Sequence, residues 1–496
     1  MSSSARDSLG SLAIGAAIGI GATLIAQKAS TSTDSFFGSG PSLVRKLSFK
    51  TPPCIVIIDP LSSGLTLASL LTLRGYAVIR VFSSNFPDEL VNLVPKNLVR
   101  PVEWMETVYH SGDVNSTLTK IMKVSGVHVE NFMVGCESGV ELTDELTNLW
   151  VEKYKDKNCH VVTNGVGMSR ARRDKYEMGE AVRGKGLRAA GQKLIQGSDP
   201  TAFSQLMSFV STCKDPSGKF RVVLKPVASA GSEGVFFATN EEECRKYYDE
   251  IFGSTNVFGE LNTSVLVQEF LEGKEYVVDS VSIEGIHKTV AIWEYDKRSA
   301  NGAKFVYYGM RLYESETGER EDELVKYMHS VLDALEIRNG PSHGEVMWTS
   351  KGPCLVEVGS RPHGGEGTFV NLVEKPIGYS QLSVMIDAHE NRHKFFNLPV
   401  RPPRLKAYAV ETCLVANHEG TLHAIKGLEE VEKLQSFQEI EWKVKVGEHI
   451  PLTIDFLTSP AAIMLMHESK EVVERDFERI HEMELLDVRR VRLDTL

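Results

Sequence analysis

Three stretches of this chain carry residue types able to hold a polyphosphate and a hard cation. In Lys225-Pro-Val-Ala-Ser-Ala-Gly-Ser-Glu-Gly234 an apolar run delivers one lysine into a loop of small residues. Gly231 and Gly234 let backbone N–H groups approach phosphate oxygens with no Cβ in the way. Ser229 and Ser232 add hydroxyl donors, and Lys225 supplies a compact positive charge. Alone, this stretch reads equally as a Gly/Ser turn beside a surface lysine. The chain has no GxxxxGK[ST], so the loop is not a Walker-type P-loop. The second stretch, Gln268-Glu-Phe-Leu-Glu-Gly-Lys-Glu275, joins two strand-like runs. Such a hinge can offer backbone groups to an adenine edge and a carboxylate to ribose hydroxyls. By itself it is also an ordinary charged hairpin. The third is His343-Gly-Glu345 followed by Glu357-Val-Gly-Ser-Arg361. Its two carboxylates lie on facing strands of one expected hairpin, close enough to share Mg2+, which takes oxygen ligands and usually one or two carboxylates. Both acids sit in apolar strands, where an unpaired carboxylate is costly. Arg361 follows closely and can face an anionic transition state.

The elements that must position these residues follow from the pattern of apolar runs. Cys54 to Asp59 and Tyr76 to Phe82 read as strands, with a helix over Ser62 to Gly75 between them. Further strands are expected at Asn131 to Cys136 and His160 to Thr163, with a helix over Glu141 to Tyr154. Strand–helix alternation implies a parallel α/β sheet. Its first turn, Asp59-Pro-Leu-Ser-Ser-Gly64, is not a GxGxxG dinucleotide fingerprint. Beyond Arg172 the spacing predicts a charged helix over Asp174 to Ala190, and strands at Arg221 to Lys225, Gly234 to Ala238 and Ser264 to Leu271. A helix is expected at Glu241 to Phe252. Long antiparallel strands fill 275–311, a helix covers Asp322 to Leu335, and a hairpin turns at Lys351-Gly-Pro. Arg401-Pro-Pro403 marks a boundary before a smaller α+β segment with a helix near Lys470 to Met483.

These motifs, in this order and spacing, resemble the ATP-grasp family from about Cys54 to the C-terminus. The resemblance implies an α/β and α+β fold: an N-terminal parallel-sheet, Rossmann-like pre-ATP-grasp domain, a two-lobe ATP-grasp domain, and a small C-terminal α+β module. The implied division is 1–50 as an apolar segment and linker, 51–168, 169–400 with the lid lobe at about 200–270, and 401–496. Gly135-Cys-Glu-Ser-Gly139-Val140 resembles part of the leading domain. Arg173-Asp-Lys175-Tyr-Glu-Met178 resembles the segment whose lysine contacts ATP phosphates, which gives Lys175 that role. Lys225 takes the second lysine's role, Ser229 to Gly234 the phosphate lid, Gln268 to Leu271 the adenine hinge, Glu275 the ribose carboxylate, and Glu345 and Glu357 the Mg2+ carboxylates. The motifs around Glu345 and Glu357 are similar to the amino-acid and dipeptide ligase branch, carnosine-synthase-like enzymes included. There the arginine meets the acyl phosphate, tetrahedral centre or substrate carboxylate, a role that passes to Arg361. The implied reaction is ADP-forming amide synthesis from a small-molecule carboxylate and an amine, through an acyl phosphate, with ATP and one or two Mg2+ (or Mn2+). Many relatives have Asn two residues after the second glutamate as a further Mg2+ ligand. Here that position is Gly359, which bears on the metal count and supports the alternative of an ATP-binding regulator without turnover. The polar stretch Trp293 to Tyr308, with Lys297 and Arg298, reads either as an acceptor or phosphate loop or as a solvated hairpin.

His389-Glu-Asn-Arg-His393 fits HExxH on an expected helix, with Glu390 as base, so a zinc metallopeptidase is an alternative of another class. Arg392 and Lys394 beside the second histidine disfavour a dication there. The bulk properties bound the rest. A length of 496 residues suggests about three domains at roughly 150 residues each. A formal net charge of -11 excludes a general nucleic-acid binder, which needs a basic face. Seven cysteines include no CxxC pair, which points to a reducing compartment. Leu9 to Ala26 is almost wholly apolar and reads as a membrane anchor or targeting segment as readily as a Gly-rich tail, so cytoplasmic catalytic domains with membrane association through 9–26 are an expectation. The oligomeric state is open, a homodimer included.

Overall fold

The β-branched runs form strands, and the first of them builds a parallel sheet. The computed structural model describes residues 51–489, apart from 88–90, 92–97, 155–161, 198, 230, 257 and 258. The segment Leu9 to Ala26 lies outside these residues. Among the described residues no helix is long and apolar enough to cross a membrane. The leading unit runs β1 (Pro53–Ile58), α1 (Ser63–Leu73), β2 (Ala77–Phe82), β3 (Trp104–Tyr109), α2 (Val114–Met122), β4 (His128–Val134) and α3 (Val140–Tyr154). Its four strands are parallel in the order β3-β2-β1-β4. Residues Cys54 to Ile58 of β1 are fully buried, as expected of an inner strand covered on both faces. The strand expected at His160 to Thr163 falls largely on 155–161, outside the described residues, and Val162 and Thr163 are not in a strand. The sequence pattern does not predict strand β3: its Trp-Met-Glu-Thr-Val-Tyr sequence is half exposed and lacks the apolar run of a core strand.

The next unit comprises α4 (Lys175–Gly184), β5 (Gln192–Gln196), α5 (Ala202–Thr212), β6 (Val222–Lys225), β7 (Phe236–Ala238), α6 (Glu241–Ile251) and β8 (Ser264–Glu269). The carboxylate of Asp174 caps α4 by accepting from the N–H groups of Tyr176 and Glu177. That helix stops at Gly184, earlier than the expected Ala190. The strands form an antiparallel sheet, order β5-β8-β6-β7, with α5 and α6 packed on it around Leu206, Val222 and Tyr248.

A larger antiparallel sheet forms the centre. It contains β9 (Gly273–Ile283), β10 (Ile286–Ala300) and β11 (Ala303–Leu312), then, after α7 (Glu319–Ala334), the hairpin β12 (Gly340–Thr349) and β13 (Gly352–Gly359). Helices α8 (Phe369–Ile377), α9 (Gln381–Glu390) and α10 (Arg392–Phe396) follow. The remaining strands are β14 (Tyr408–Cys413), β15 (Gly420–Ile425), β16 (Phe437–Trp442), β17 (His449–Ile450), β18 (Ala461–His467) and, after α11 (Lys470–Glu482), β19 (Leu486–Arg489). The central sheet runs β13-β12-β9-β10-β11-β14-β18-β16, so three strands beyond residue 401 extend it. β15, β17 and β19 make a separate small sheet. Alternation along β9 serves both faces. Val277 and Val281 pack with α1, α8 and α9, while Tyr276 and Val278 pack with α4 and α7. The six described cysteines are free thiols.

Arg172 is one of the side chains that join the leading unit to the rest. It is fully buried and uses all five N–H donors. It donates to Asp144 of α3 at 2.7 Å and to the carbonyls of Asn164, Gly165, Leu335 and Glu336 at 2.9–3.0 Å. Replacing it with alanine strands five acceptors, of which the Asp144 carboxylate and the Leu335 carbonyl are buried. We expect Arg172→Ala to destabilise the fold by about 3–5 kcal/mol, read as a drop in the urea or thermal midpoint. An unchanged midpoint would remove this joint from the account.

Candidate active site

The two antiparallel sheets face each other across a narrow cleft of about 110 Å³. It is lined by Lys175, Lys225, Ser229, Gly231, Ser232, Gln268, Glu269, Leu271, Glu275, Glu345 and Glu357. Eleven residues singled out on sequence grounds thus converge, although they span 183 positions of chain (357 less 175, counted inclusively). Gly234 stands behind the lid turn, against Pro226, and Arg361 stands beyond the hairpin acids. In the hairpin, Glu345 and Glu357 are direct cross-strand partners, as are His343 and Gly359. All four therefore share one face.

Each functional side chain is placed by a local cause. Lys225 ends β6, where Pro226 cannot continue the ladder. The lid then turns with Gly231, Ser232 and Gly234 all at φ of 64–66°, a region that favours glycine at two of these positions. The Ser229 hydroxyl donates to the Glu233 carbonyl at 3.0 Å and the Ser232 hydroxyl meets the Tyr307 hydroxyl at 3.3 Å. Both serines thus hold the turn rather than standing as free donors. Beyond the lid, the Phe456 N–H donates to the Gly231 carbonyl at 3.3 Å. Glu269 accepts from the Gly191 N–H at 2.7 Å, and Gln268 donates to Gln192 at 2.9 Å, so the hinge side chains brace β5.

The charges interlock. The Lys175 ammonium lies 3.1 Å from Glu357 and donates to the Ser229 carbonyl at 2.9 Å, linking hairpin to lid. Lys297 donates to Glu275 at 2.8 Å and sits between the rings of Tyr295 and Tyr307. Burial opposes the Lys297 charge, but Glu275 outweighs it and keeps the ammonium charged. Burial likewise opposes ionisation of Glu345. His343, Lys297 and Arg361 prevail and hold its carboxyl well below the usual carboxylate range. Lys225 differs: it is buried and makes no hydrogen bond or ion pair among the described residues. Burial pulls its pKa down to about 8, with Glu357 only partly opposing.

Comparison with known proteins bears on this cleft. Residues 218–369, which contain the lid, the hinge and both hairpin acids, match the ATP-grasp domain family. The chain carries an ATP-grasp domain over these residues. It is 27% identical to dapdiamide A synthase of Enterobacter agglomerans over 432 residues, covering 87% of this chain and 95% of that protein. Among solved structures it is similar to an L-amino acid ligase from Bacillus licheniformis, with a TM-score of 0.66, 19% identity, and coverage of 89% of this chain and 100% of that one. It is also similar to the biotin carboxylase domain of a Hydrogenobacter thermophilus 2-oxoglutarate carboxylase in complex with MgADP and bicarbonate (TM-score 0.56, 14% identity, 88% and 90% coverage). These last two likenesses speak for the fold.

Within this ATP-grasp cleft several participants carry no sequence signal that marks them as site residues by themselves. Tyr295 donates to Glu345 at 3.3 Å. The Asp279 carboxylate accepts from Trp293 at 2.9 Å and faces the Nδ1 atoms of His343 (2.9 Å) and His363 (2.7 Å). These partners hold Asp279 well below the usual carboxylate range despite its burial. Asp279, His343 and His363 form the one group of three metal-ligating side chains placed to share an ion among the described residues, but both histidines are already hydrogen-bonded to the Asp279 carboxylate. The signal that could have found them is period: Glu275, Val277 and Asp279 share one face of β9, as His343 and Glu345 do on β12.

The HExxH expectation is corrected. Helix α9 ends at Glu390, and Asn391 (φ -149°, ψ 84°) breaks the helix before α10. His389 Nε2 lies 3.3 Å from Glu130, His393 pairs with Asn397, and Glu390 accepts from Arg74. The two histidines share no helix face, so no zinc site forms there. A larger cavity of about 490 Å³ opens nearby, between β4, α3 and α9. Among the described residues no lysine and neither hairpin glutamate lines it, and its one guanidinium, Arg392, is paired with Glu284 at 2.6 Å.

The unpaired Lys225 yields a pH test. In the free protein its ammonium forms as pH falls through about 8, and an anionic phosphate favours that charged form. ATP binding should therefore take up a proton at pH 9 but not at pH 7. Affinity should fall as pH rises through 8, by at most about tenfold per unit, and Lys225→Met should abolish that slope. Calorimetry in buffers of different ionisation enthalpy measures the uptake. None at pH 9 would contradict this placement of Lys225.

Proposed function

We propose that the protein is an ATP-dependent, ADP-forming carboxylate–amine ligase that joins amino-acid-like substrates in an amide or peptide bond through an acyl phosphate. The observation that carries this reading is the Glu345–Glu357 pair facing Lys175 and Lys225 in one buried cleft, with Arg361 just past it. The names of the relatives, a dapdiamide synthase and an L-amino acid ligase, support the substrate class. The division at residues 50, 168 and 400 is part of the same proposal.

In this account Lys175 and Lys225 bind the phosphates, the turn from Ser229 to Gly234 covers them, the hinge from Gln268 to Leu271 meets adenine, and Glu275 meets the ribose. Glu345 and Glu357 would hold Mg2+. Their paired oxygens are hard donors, and Lys175 already places a positive charge against Glu357. Bound there, the ion offsets the negative charge of the β- and γ-phosphates. A substrate carboxylate oxygen bonds to the γ-phosphorus while the bond to the β–γ bridging oxygen breaks, releasing ADP. The amine nitrogen then bonds to the acyl carbon, and the tetrahedral oxyanion meets the Arg361 donors. Collapse expels phosphate, and the nitrogen loses its extra proton.

A screen of amino-acid pairs for ADP release should find a pair that yields ADP and amide in equal amounts. ATP binding with no ADP released by any pair would instead favour a regulator without turnover. Arg361 tests the chemistry apart from nucleotide binding, because its planar fork of donors cannot be reproduced by lysine. Arg361→Lys should leave ATP affinity near the wild-type value and cut amide formation by on the order of 10²-fold. A wild-type rate of product formation would displace the acyl-transfer centre from Arg361.

A further inference from the structure

Gly359 stands where many relatives are expected to have Asn, and the surroundings explain the glycine. Its backbone is not in the left-handed region, so it is not needed for conformational freedom. It is needed for space. A Cβ at 359 would lie 2.7 Å from Oε2 of Glu137 and 3.1 Å from Cζ and Nε of Arg361. Glu137 comes from the leading unit, in the turn Glu137–Gly139 that opens α3. Its carboxylate crosses to the hairpin and accepts from Arg361 Nε at 2.8 Å. Arg361 Nη1 donates to the Pro362 carbonyl at 3.1 Å, and Nη2 makes no hydrogen bond among the described residues. Arg173 adds a second cation, 3.9 Å from the other carboxylate oxygen. The Arg361 and Glu137 side chains are 13% and 11% exposed, so water does little to screen the pair.

From this packing we infer that Glu137 is a positioning residue for acyl transfer: seated in the slot that Gly359 leaves open, it fixes the guanidinium plane of Arg361 and turns the Nη2 edge toward the reacting centre. The inference rests on the proposed role of Arg361. The orientation matters because a guanidinium stabilises an oxyanion only when its N–H bonds point along the line of the developing charge. An arginine free to rotate would keep its charge in the cleft but lose that alignment, and small misplacements of a catalytic group are costly in rate. The leading unit then contributes to turnover directly, through one carboxylate. Glu137 accepts from Arg361 without touching the substrate, so its effect falls on the chemical step and not on nucleotide or metal binding.

The experiment compares Glu137→Gln, Gly359→Ala and the double variant with wild type, using the acid–amine pair from the screen. It reads kcat, KM for ATP, the Mg2+ concentration at half-maximal rate, and the thermal midpoint. Gly359→Ala keeps both charges and pushes the Glu137 carboxylate out of its slot, so it tests placement where Glu137→Gln tests charge. Each single change is expected to lower kcat by on the order of 10- to 10²-fold, with KM for ATP and the Mg2+ requirement unchanged; the midpoint falls, because a buried pair is broken or displaced, but stays above the assay temperature. The double variant should lose no more than the worse single, since both act on one contact. Additive losses, an unchanged kcat, or a kcat loss regained on cooling further below the midpoint would overturn the inference. A raised Mg2+ requirement would also overturn it and make Glu137 a metal ligand in place of the missing Asn. Arg361→Lys runs alongside. If it too turns over at the wild-type rate, the proposed role of Arg361 fails while the ligase activity stands; if it alone collapses, only the role of Glu137 fails.

Discussion

The cleft is organised by a charge constraint: three of its carboxylates are taken out of water and each is held by a cation from a different element, while Glu345 is held by Tyr295 and His343. Glu357 on β13 meets Lys175 at the start of α4, Glu275 on β9 meets Lys297 on β10, and Glu137 before α3 meets Arg361 after β13. Removing one partner from a buried pair is strongly destabilising, because the other charge is left without compensation. The sheets are therefore held in register by the same groups that would meet nucleotide, metal and acyl group. Lys225 is the exception, a buried ammonium with no partner of its own among the described residues, and an incoming phosphate would relieve it.

This arrangement implies exchange of partners on binding. Lys175 cannot give its full charge both to Glu357 and to a phosphate, and a divalent ion on Glu357 would compete with Lys175 for that carboxylate. A divalent ion at the hairpin would free Lys175 to turn to the nucleotide. It would also release its hold on the Ser229 carbonyl, so lid and metal site are coupled through one side chain. The lid also contacts the segment beyond residue 401, through the Phe456 N–H on the Gly231 carbonyl. Three sections of chain thus bear on one short turn.

Much of this is legible in the sequence because local patterns carry it. The hairpin around Lys351-Gly-Pro is legible, but the turn alone would set Glu345 opposite Val356; a one-residue register shift next to Val346 brings it opposite Glu357 instead. The lid is legible only in company: Gly231 and Gly234 beside a strand-end lysine read equally as a Gly/Ser turn, and the hinge and hairpin motifs that follow in order decide between the two. What cannot be read is non-local or weakly patterned. The Glu137–Arg361 pair joins residues 224 positions apart, and no periodicity reports such a contact. Strands β3 and β5 and helix α5 lack a long apolar run, so tertiary pairing decides them. The HExxH spacing misleads because it presumes a continuous helix, and Asn391 breaks it. Gly359 reads as a missing ligand, whereas the fold uses it as room for a carboxylate from elsewhere.

The central claim is that a substrate carboxylate is activated by phosphoryl transfer in this cleft. An oxygen label tests it most directly. With both carboxylate oxygens of the acid substrate replaced by ¹⁸O, acyl-phosphate formation places one labelled oxygen in the released phosphate and leaves the other in the amide. The account predicts singly labelled phosphate, formed in step with amide and ADP, by mass spectrometry. Unlabelled phosphate with both labels retained in the organic product, or label recovered in a nucleotide monophosphate, would contradict it.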